Sequence, residues 1–538
     1  MGSSSARLTT IMEDRKALHL ESPNEPKRLF DYCERNKSVA ADSVCFIRRN
    51  NDHVLRSLTW KELHEEVLKV AELLGNCHVT PQSRVVNTAA NSLEWILMEL
   101  ACSCLNAVHV PLDPRLPREQ IFSIIQDIKP VLALVDNDGQ LGSMSPSVDS
   151  VSCSRIRDFI DQSDRLCTTD LHRIVSKPHD GDIANILFTS GTTSSPKGVM
   201  LTHRNLVRNA MAKLDAMPQF QSDHRLNLLP FSHAYAKTCE LATWLISASS
   251  LEIASNAGEL IDKFAIARPT LFNGVPIVFK RIYTEWCRCG GSPETLRGLT
   301  GGRMRQFASG GAPIHDQLRD AFENAGLPIL QGYGLTEAGP VVCSNRSGVN
   351  NKGSDRCLVG VGPAVKGVEL KIDSERRLWV RGDGVMLGYW NDPQSTSDRI
   401  KDGWLDTGDV AEFDKSQNVR ILGRSDDTII LDNGYKIDPL AIEHLICSIK
   451  GVKDCALVTN DLSGYDIALL CDDIGESLSS TEYEIAITAL LRKNLIVLPK
   501  RIVLATQDWS ESNGFRNLKG AKNREKIKQW VWEVRDNL

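Results

Sequence analysis

The stretch Thr189-Ser-Gly-Thr-Thr-Ser-Ser-Pro-Lys-Gly-Val199 constrains this chain more than any other. It follows an apolar run over 183–188 that reads as a buried strand, and it precedes a segment over 201–217 with helical spacing. A loop between strand and helix is therefore expected. Hydroxyls, two glycines and one lysine in such a loop suit an anionic phosphate chain, wrapped by N–H groups, O–H donors and a point charge. A nucleotide is the implied ligand. The common phosphate loop, G-x-x-x-x-G-K-[ST], fails twice here: counted from Gly191, Pro196 stands at the second glycine and Gly198 at the hydroxyl.

At 538 residues the chain exceeds one hydrophobic core, and length alone suggests roughly three to four domain-sized units. A formal net charge of -5 argues against a general nucleic-acid binder. The 15 cysteines are scattered, and the close pairs Cys102/Cys104 and Cys287/Cys289 have the wrong spacing for C-x-x-C zinc or redox chemistry. They read as reduced thiols. Met-Gly-Ser-Ser-Ser-Ala at the start has no apolar signal core, Ala6 breaks a myristoylation pattern, and Arg-Asp-Asn-Leu at the end is no retention address. No apolar run approaches the ~20 residues of a membrane span, so a cytoplasmic enzyme without a transmembrane segment is expected. Peripheral membrane contact and oligomeric state are left open.

Along the chain, Thr59 and Glu62 form a capping box ahead of a helical stripe that ends near Gly75. Strands are expected over 84–90, 107–112 and 131–135, with helices over 93–105 and 118–128 between them. Such alternation means a largely parallel sheet. Residues 137–180 read as a polar surface excursion. Further strands over 225–229, 251–254, 270–273, 306–308 and 329–331 follow. Three deliver glycine-rich or polar loops: Pro230-Phe-Ser-His-Ala-Tyr-Ala236, Ser309-Gly-Gly-Ala-Pro313 and Gly332-Tyr-Gly-Leu-Thr-Glu337. Ligands of open parallel sheets gather at such strand ends, so these loops are expected to line one cleft. From Val359 short alternating runs predict a small antiparallel subdomain carrying Trp404-Leu-Asp-Thr-Gly-Asp409 and Gly423-Arg-Ser-Asp-Asp427. About a hundred residues of mixed α+β pattern close the chain.

Taken together, these loops resemble the adenylate-forming superfamily of acyl-CoA synthetases, carrier-loading adenylation domains and luciferases. The resemblance runs over about residues 30–530 with its motifs in the family's order, and in texture it is nearest the long-chain fatty acid–CoA ligases. It implies an α/β fold: a large N-terminal domain (21–424, after a tail over 1–20) with parallel-rich sheets, flanking helices and a small antiparallel β subdomain. A hinge over 425–427, centred on Asp426, would lead to a smaller mobile α+β domain over 428–538. The resemblance also implies ATP, Mg²⁺ and CoA as cofactors, with a carboxylic acid, of the fatty type, as substrate and CoA as acceptor. By the same resemblance Thr189, Ser190, Gly191, Thr192, Thr193 and Lys197 hold phosphates, Thr336 contacts the phosphate chain, and Glu337 binds the metal. Asp409 would hold ribose with help from Arg424, while Gly310, Gly311, Ala312 and Tyr333 enclose adenine. His233 would shape the acyl pocket, although a lone histidine is more often structural. Lys519, with Lys522 as its rival, would bridge carboxylate and α-phosphate, and Gly434 would meet CoA.

Three positions depart from the family pattern: Ser194 and Ala236 stand where glycine is usual, and Asn517 where threonine is usual. Two alternatives follow, a fatty acyl-AMP ligase that loads a carrier protein and a non-catalytic relative that binds nucleotide or acyl ligand. An insertion before the hinge would favour the first, and none is evident between Val359 and Arg424.

Overall fold

A computed structural model describes residues 26–50, 53–136, 152–163, 175–179, 181–189, 196–254, 258–348, 358–425, 427, 429–430, 436–437, 439–460, 464–471, 479–494, 496–505, 507–516 and 522–536. Two large sheets organise them. The eight-stranded sheet has a parallel middle in the spatial order Ile329–Gly334, Gln306–Ser309, Leu271–Gly274, His224–Asn227, Ser250–Ile253 and Val44–Asn50. Antiparallel Val341–Ser344 and His53–Thr59 close its edges. Crossover helices Leu260–Ala267, Pro276–Arg288 and Asp316–Asn324 pack phenylalanines 264, 272, 279, 307 and 322 edge to face, the arrangement that ring quadrupoles favour.

The seven-stranded sheet runs Gly388–Tyr389, Lys197–Thr202, Ile183–Thr189, Val108–Pro111, Arg84–Asn87, Leu132–Val135 and Ser152–Arg155. Helix Leu93–Leu105 is buried all round, as a helix apolar on every face must be. The capping box at Thr59 is present: its side chain accepts from Glu62 N–H, and helix Trp60–Asn76 follows.

Two expectations need correction, and one hairpin was not expected at all. The segment after Lys197 is not yet helix: Lys197–Thr202 is a strand antiparallel to Ile183–Thr189, and helix His203–Ala216 begins only at the Thr202 cap. The phosphate stretch therefore joins two strands. β-Branched Val199 and Thr202 fit that strand, and pairing against 183–189 outweighs the helical spacing. Second, the polar excursion over 137–180 contains strand Ser152–Arg155, parallel to Leu132–Val135, and helix Ile156–Asp161. The hairpin Val44–Asn50/His53–Thr59 escapes a periodicity reading because its outer strand is largely exposed.

The antiparallel subdomain is as expected, with Trp404–Phe413 between Arg377–Gly382 and Val419–Arg424. The last part of the chain has its own three-stranded sheet, Val452–Asn460, Gly464–Cys471 and Arg501–Leu504. Alternation divides its faces: Cys455 and Leu457 pack with Tyr483 and Ile487, while Ala456 and Val458 pack with Trp509 and Ile527. No helix among the described residues is long and apolar enough to cross a membrane. The described cysteines are all free thiols.

Candidate active site

Strand register brings the glycine-rich loops together. Ser309 pairs with Gln331, so the loop that starts at Gly310 and the Gly332–Glu337 segment leave neighbouring strands side by side. A Cβ on Gly310 would lie 3.1 Å from the Tyr235 ring, and Gly311 has φ +82°. Both positions favour glycine. The ring that lies against Gly310 is that of Tyr235. Its hydroxyl is buried with no hydrogen-bond partner among the described residues. Nothing in His-Ala-Tyr-Ala marks it in advance.

Tyr333 donates its hydroxyl proton to Asp409 Oδ2. Arg424 Nη1 lies 3.2 Å from Asp409 Oδ1, and the two residues are cross-strand partners, which explains their separation in sequence. Burial raises the Asp409 carboxyl above its ordinary range, against the opposing pull of Arg424.

Thr336 and Glu337 lie in the short 3-10 turn Thr336–Ala338. Two groups of a single later segment hold Glu337: Met386 N–H donates to its carbonyl at 2.8 Å, and Tyr389 Oη donates to Oε1 at 2.9 Å. Lys197 pairs with Thr189 across the base of the phosphate stretch. Its Nζ donates to Ser395 Oγ at 2.6 Å, stands 3.9 Å from Asp392 Oδ2, and lies 5.1 Å over the centre of the Tyr389 ring. Contacts thus run from Arg424 through Asp409 to Tyr333, and from Glu337 through Tyr389 to Lys197, with only three residues between Tyr333 and Glu337.

His233 Nε2 stands 3.4 Å from Asp113 Oδ2, and Arg115 Nη2 lies 2.7 Å from that same oxygen. Burial would raise Asp113, but His233 and Arg115 outweigh it and hold the carboxyl well below its usual range. Lys522 is committed elsewhere. Its ammonium pairs with Glu443 at 2.7 Å and Asp454 at 3.0 Å, and burial is outweighed by these anions, which raise its pKa. Ser190, Gly191, Thr192, Thr193, Ser194, Asp426, Gly434, Asn517 and Lys519 lie outside the described residues.

Tyr389, Asp392 and Ser395 were missed. The Asn391-Asp-Pro393 signal marks a helix start, and Asp392 does cap Pro393–Arg399. No local pattern announces the contacts with Glu337 and Lys197. Among the described residues no group of three or more His, Cys, Asp or Glu side chains is placed to hold a metal. A lone carboxylate at a phosphate site still suits Mg²⁺, which keeps waters and takes phosphate oxygens as further ligands.

The family described as AMP-binding enzyme matches residues 33–390, and the chain belongs to that family. It is 27% identical over 447 residues to the long-chain-fatty-acid–CoA ligase FadD15 of Mycobacterium bovis, covering 73% of each chain. To the feruloyl-CoA synthase of an Amycolatopsis species it is 28% identical over 423 residues, covering 75% of this chain and 80% of that one. Among solved structures, ATP-bound MatB from Rhodopseudomonas palustris superposes with a TM-score of 0.81 at 23% identity, covering 95% of this chain and all of the other. The anthranilate CoA ligase AuaEII with anthranoyl-AMP gives 0.80 at 20% identity, covering 96% of this chain. The chain is an AMP-forming acid–thiol ligase.

Proposed function

We propose that this ligase activates a fatty acid as its acyl-adenylate and transfers the acyl group to CoA. In the first half-reaction a carboxylate oxygen attacks the α-phosphorus of ATP, the bond to the bridging β-oxygen breaks, and pyrophosphate leaves. In the second the CoA sulfur attacks the acyl carbonyl, its proton is lost, and AMP leaves. Support comes chiefly from two runs of contacts, Arg424–Asp409–Tyr333 and Glu337–Tyr389–Lys197, with three residues of chain between Tyr333 and Glu337. A nucleotide laid along these runs would meet a ribose acceptor at one end and a phosphate cation at the other.

Residue roles follow from the chemistry. Asp409 accepts from ribose hydroxyls, and Arg424 and Tyr333 fix its plane. The loop from Gly310 to Ala312 offers backbone to the flat base. Thr189, the hydroxyls of Ser190, Thr192 and Thr193, the N–H of Gly191 and the ammonium of Lys197 oppose the charge of the departing pyrophosphate. Thr336 would contact the phosphate chain, and Glu337 would supply a hard oxygen ligand for Mg²⁺, which when bound would neutralise phosphate charge. His233, oriented by Asp113, borders the acyl entrance. Lys519 would serve as the cation that bridges the carboxylate and the α-phosphate, and Gly434 would meet CoA after a turn about Asp426. A cytoplasmic setting fits this substrate set.

Pyrophosphate–ATP exchange over a panel of carboxylic acids, followed by AMP release with and without CoA, tests the assignment. Exchange with medium- or long-chain acids and CoA-stimulated release are expected. Exchange without CoA stimulation would point to carrier-protein loading, and no exchange with any acid to a binding protein.

A further inference from the structure

The segment from Gly388 to Ser395 belongs to none of the motifs on which the resemblance was drawn, yet it touches both charged ends of the phosphate site. Tyr389 is only 5% exposed. Its backbone pairs with Val199, the last residue of the phosphate stretch. Its hydroxyl donates to Glu337 Oε1 at 2.9 Å, and Lys197 Nζ lies 5.1 Å over its ring. One phenol is therefore shared by the anion and the cation that would face the same phosphate chain.

We propose that Tyr389 is the positioning residue of the phosphate site, its hydroxyl orienting the Glu337 carboxylate toward a divalent cation and its ring face guiding the Lys197 ammonium toward the phosphates. This rests on the nucleotide-binding function proposed above. A carboxylate is free to rotate about its last bond, and a fixed donor on one oxygen sets its plane and leaves the other for a metal. Groups that orient a metal ligand in this way commonly matter to affinity by about 10-fold or more. The ring offers Lys197 a charge-free attraction. Its other partners are a neutral hydroxyl and a carboxylate 3.9 Å away, 36% exposed. None of them holds the ammonium too tightly to yield it to a phosphate.

Two substitutions separate the roles. Tyr389→Phe keeps the ring and the strand pairing and removes only the donor; Tyr389→Leu removes the ring as well. Binding of Mn²⁺ to the enzyme–ATP complex, followed by electron paramagnetic resonance, reads the metal site without catalysis. The Mg²⁺ dependence of pyrophosphate exchange and the KM for ATP at saturating metal complete the set. Tyr389→Phe is expected to weaken Mn²⁺ binding and raise half-saturating Mg²⁺ by about 10-fold, with KM for ATP at saturating metal changed by less than about 2-fold. Tyr389→Leu is expected to raise that KM in addition. Thioester formation from supplied acyl-adenylate should separate from adenylation in both variants. If wild type binds Mn²⁺–ATP and Tyr389→Phe binds it equally well, the positioning role is overturned while the function stands. Equal loss of both half-reactions together with the melting temperature would also overturn it, leaving a packing role. A wild type that binds no Mn²⁺–ATP overturns the proposed function itself.

Discussion

Lys197 beside the phosphate stretch and Lys522 near the C-terminus each have several partners, and the partners differ in kind. Lys197 is 38% exposed; it touches a serine hydroxyl, a ring face and the half-exposed Asp392 at 3.9 Å. Such contacts contribute no more than about 1 kcal/mol each. Lys522 is 18% exposed and lies between Glu443, itself 1% exposed, and Asp454. Arg524 shares the Glu443 carboxylate. An ion pair of this second kind cannot be broken cheaply, because removing one member strands a buried charge. The difference teaches where chemistry can happen. A cation that must meet a transient anion is kept in replaceable contacts, whereas one that shapes the fold is fully matched.

The sharpest way to break that comparison is to exchange the two lysines' expected phenotypes. Lys197→Ala is expected to lower adenylation by about 10²–10³, the scale of losing a group that stabilises transition-state charge, with little change in melting temperature. Lys522→Ala should instead reduce stability by about 3–5 kcal/mol, read by urea denaturation. A well-folded Lys522→Ala protein that cannot adenylate would show that its ion pairs are replaceable after all.

Inside the large α/β body the same contrast recurs in a second form. Lys237 is fully buried, bonded to Glu99 and set 4.7 Å over the Trp95 ring, and His109 Nδ1 also meets Glu99. Lys237→Met is expected to cost about 3 kcal/mol, the low end for a broken buried pair because His109 still faces the carboxylate. Adding Glu99→Gln should recover part of that loss, and urea denaturation of the double-mutant cycle measures it.

The smallest expected effect is a pH response of opposite sign at two buried carboxylates. Burial would raise Glu99, but Lys237 and His109 outweigh it and hold it at about 2, below its ordinary 4.5. Its contribution is present above the unfolded value and is lost as pH falls toward about 2. Glu240 behaves in reverse. Burial raises it to about 7 although Arg225 pulls it down, so the folded chain keeps a proton that the unfolded chain releases. Stability at this site therefore falls as pH rises from 4.5 to about 7. Glu240→Gln should remove a decline of about 2 kcal/mol across that window, seen by comparing urea midpoints at its two ends. An unchanged slope would mean that Arg225 and Asn273 compensate the charge fully.

Much of this architecture was legible before any coordinates. Helix Leu93–Leu105 carries its own cap in Ser92, helix Arg118–Ile128 shows its period in Ile121, Ile124, Ile125 and Ile128, and the glycine-rich loops follow short apolar runs that read as buried strands. The strand Lys197–Thr202 was not legible, because its pairing partner lies across the loop and overrides a helical spacing that continues into His203–Ala216. Strand Ser152–Arg155 was hidden in the same way: its small polar residues become a sheet edge only because Leu132–Val135 is already in place.

The candidate site divides along a similar line. Lys197, Glu337, Asp409, Arg424 and the glycines at 310 and 311 were marked in the sequence by the resemblance of their motifs to the adenylate-forming superfamily. Tyr235, Tyr389 and Ser395 were not, because a tyrosine or serine has no fixed meaning until its neighbours are known. What the sequence by itself determined is the set of chemical groups and their order, which is enough to imply a nucleotide. Only the tertiary structure decided which of them touch. A hydrogen bond from Tyr389 to Glu337 spans 52 residues of chain, and such a contact exists only once strand Gly388–Tyr389 has paired with Lys197–Thr202. Backbone pairing is set by the whole sheet, so no local stretch encodes it.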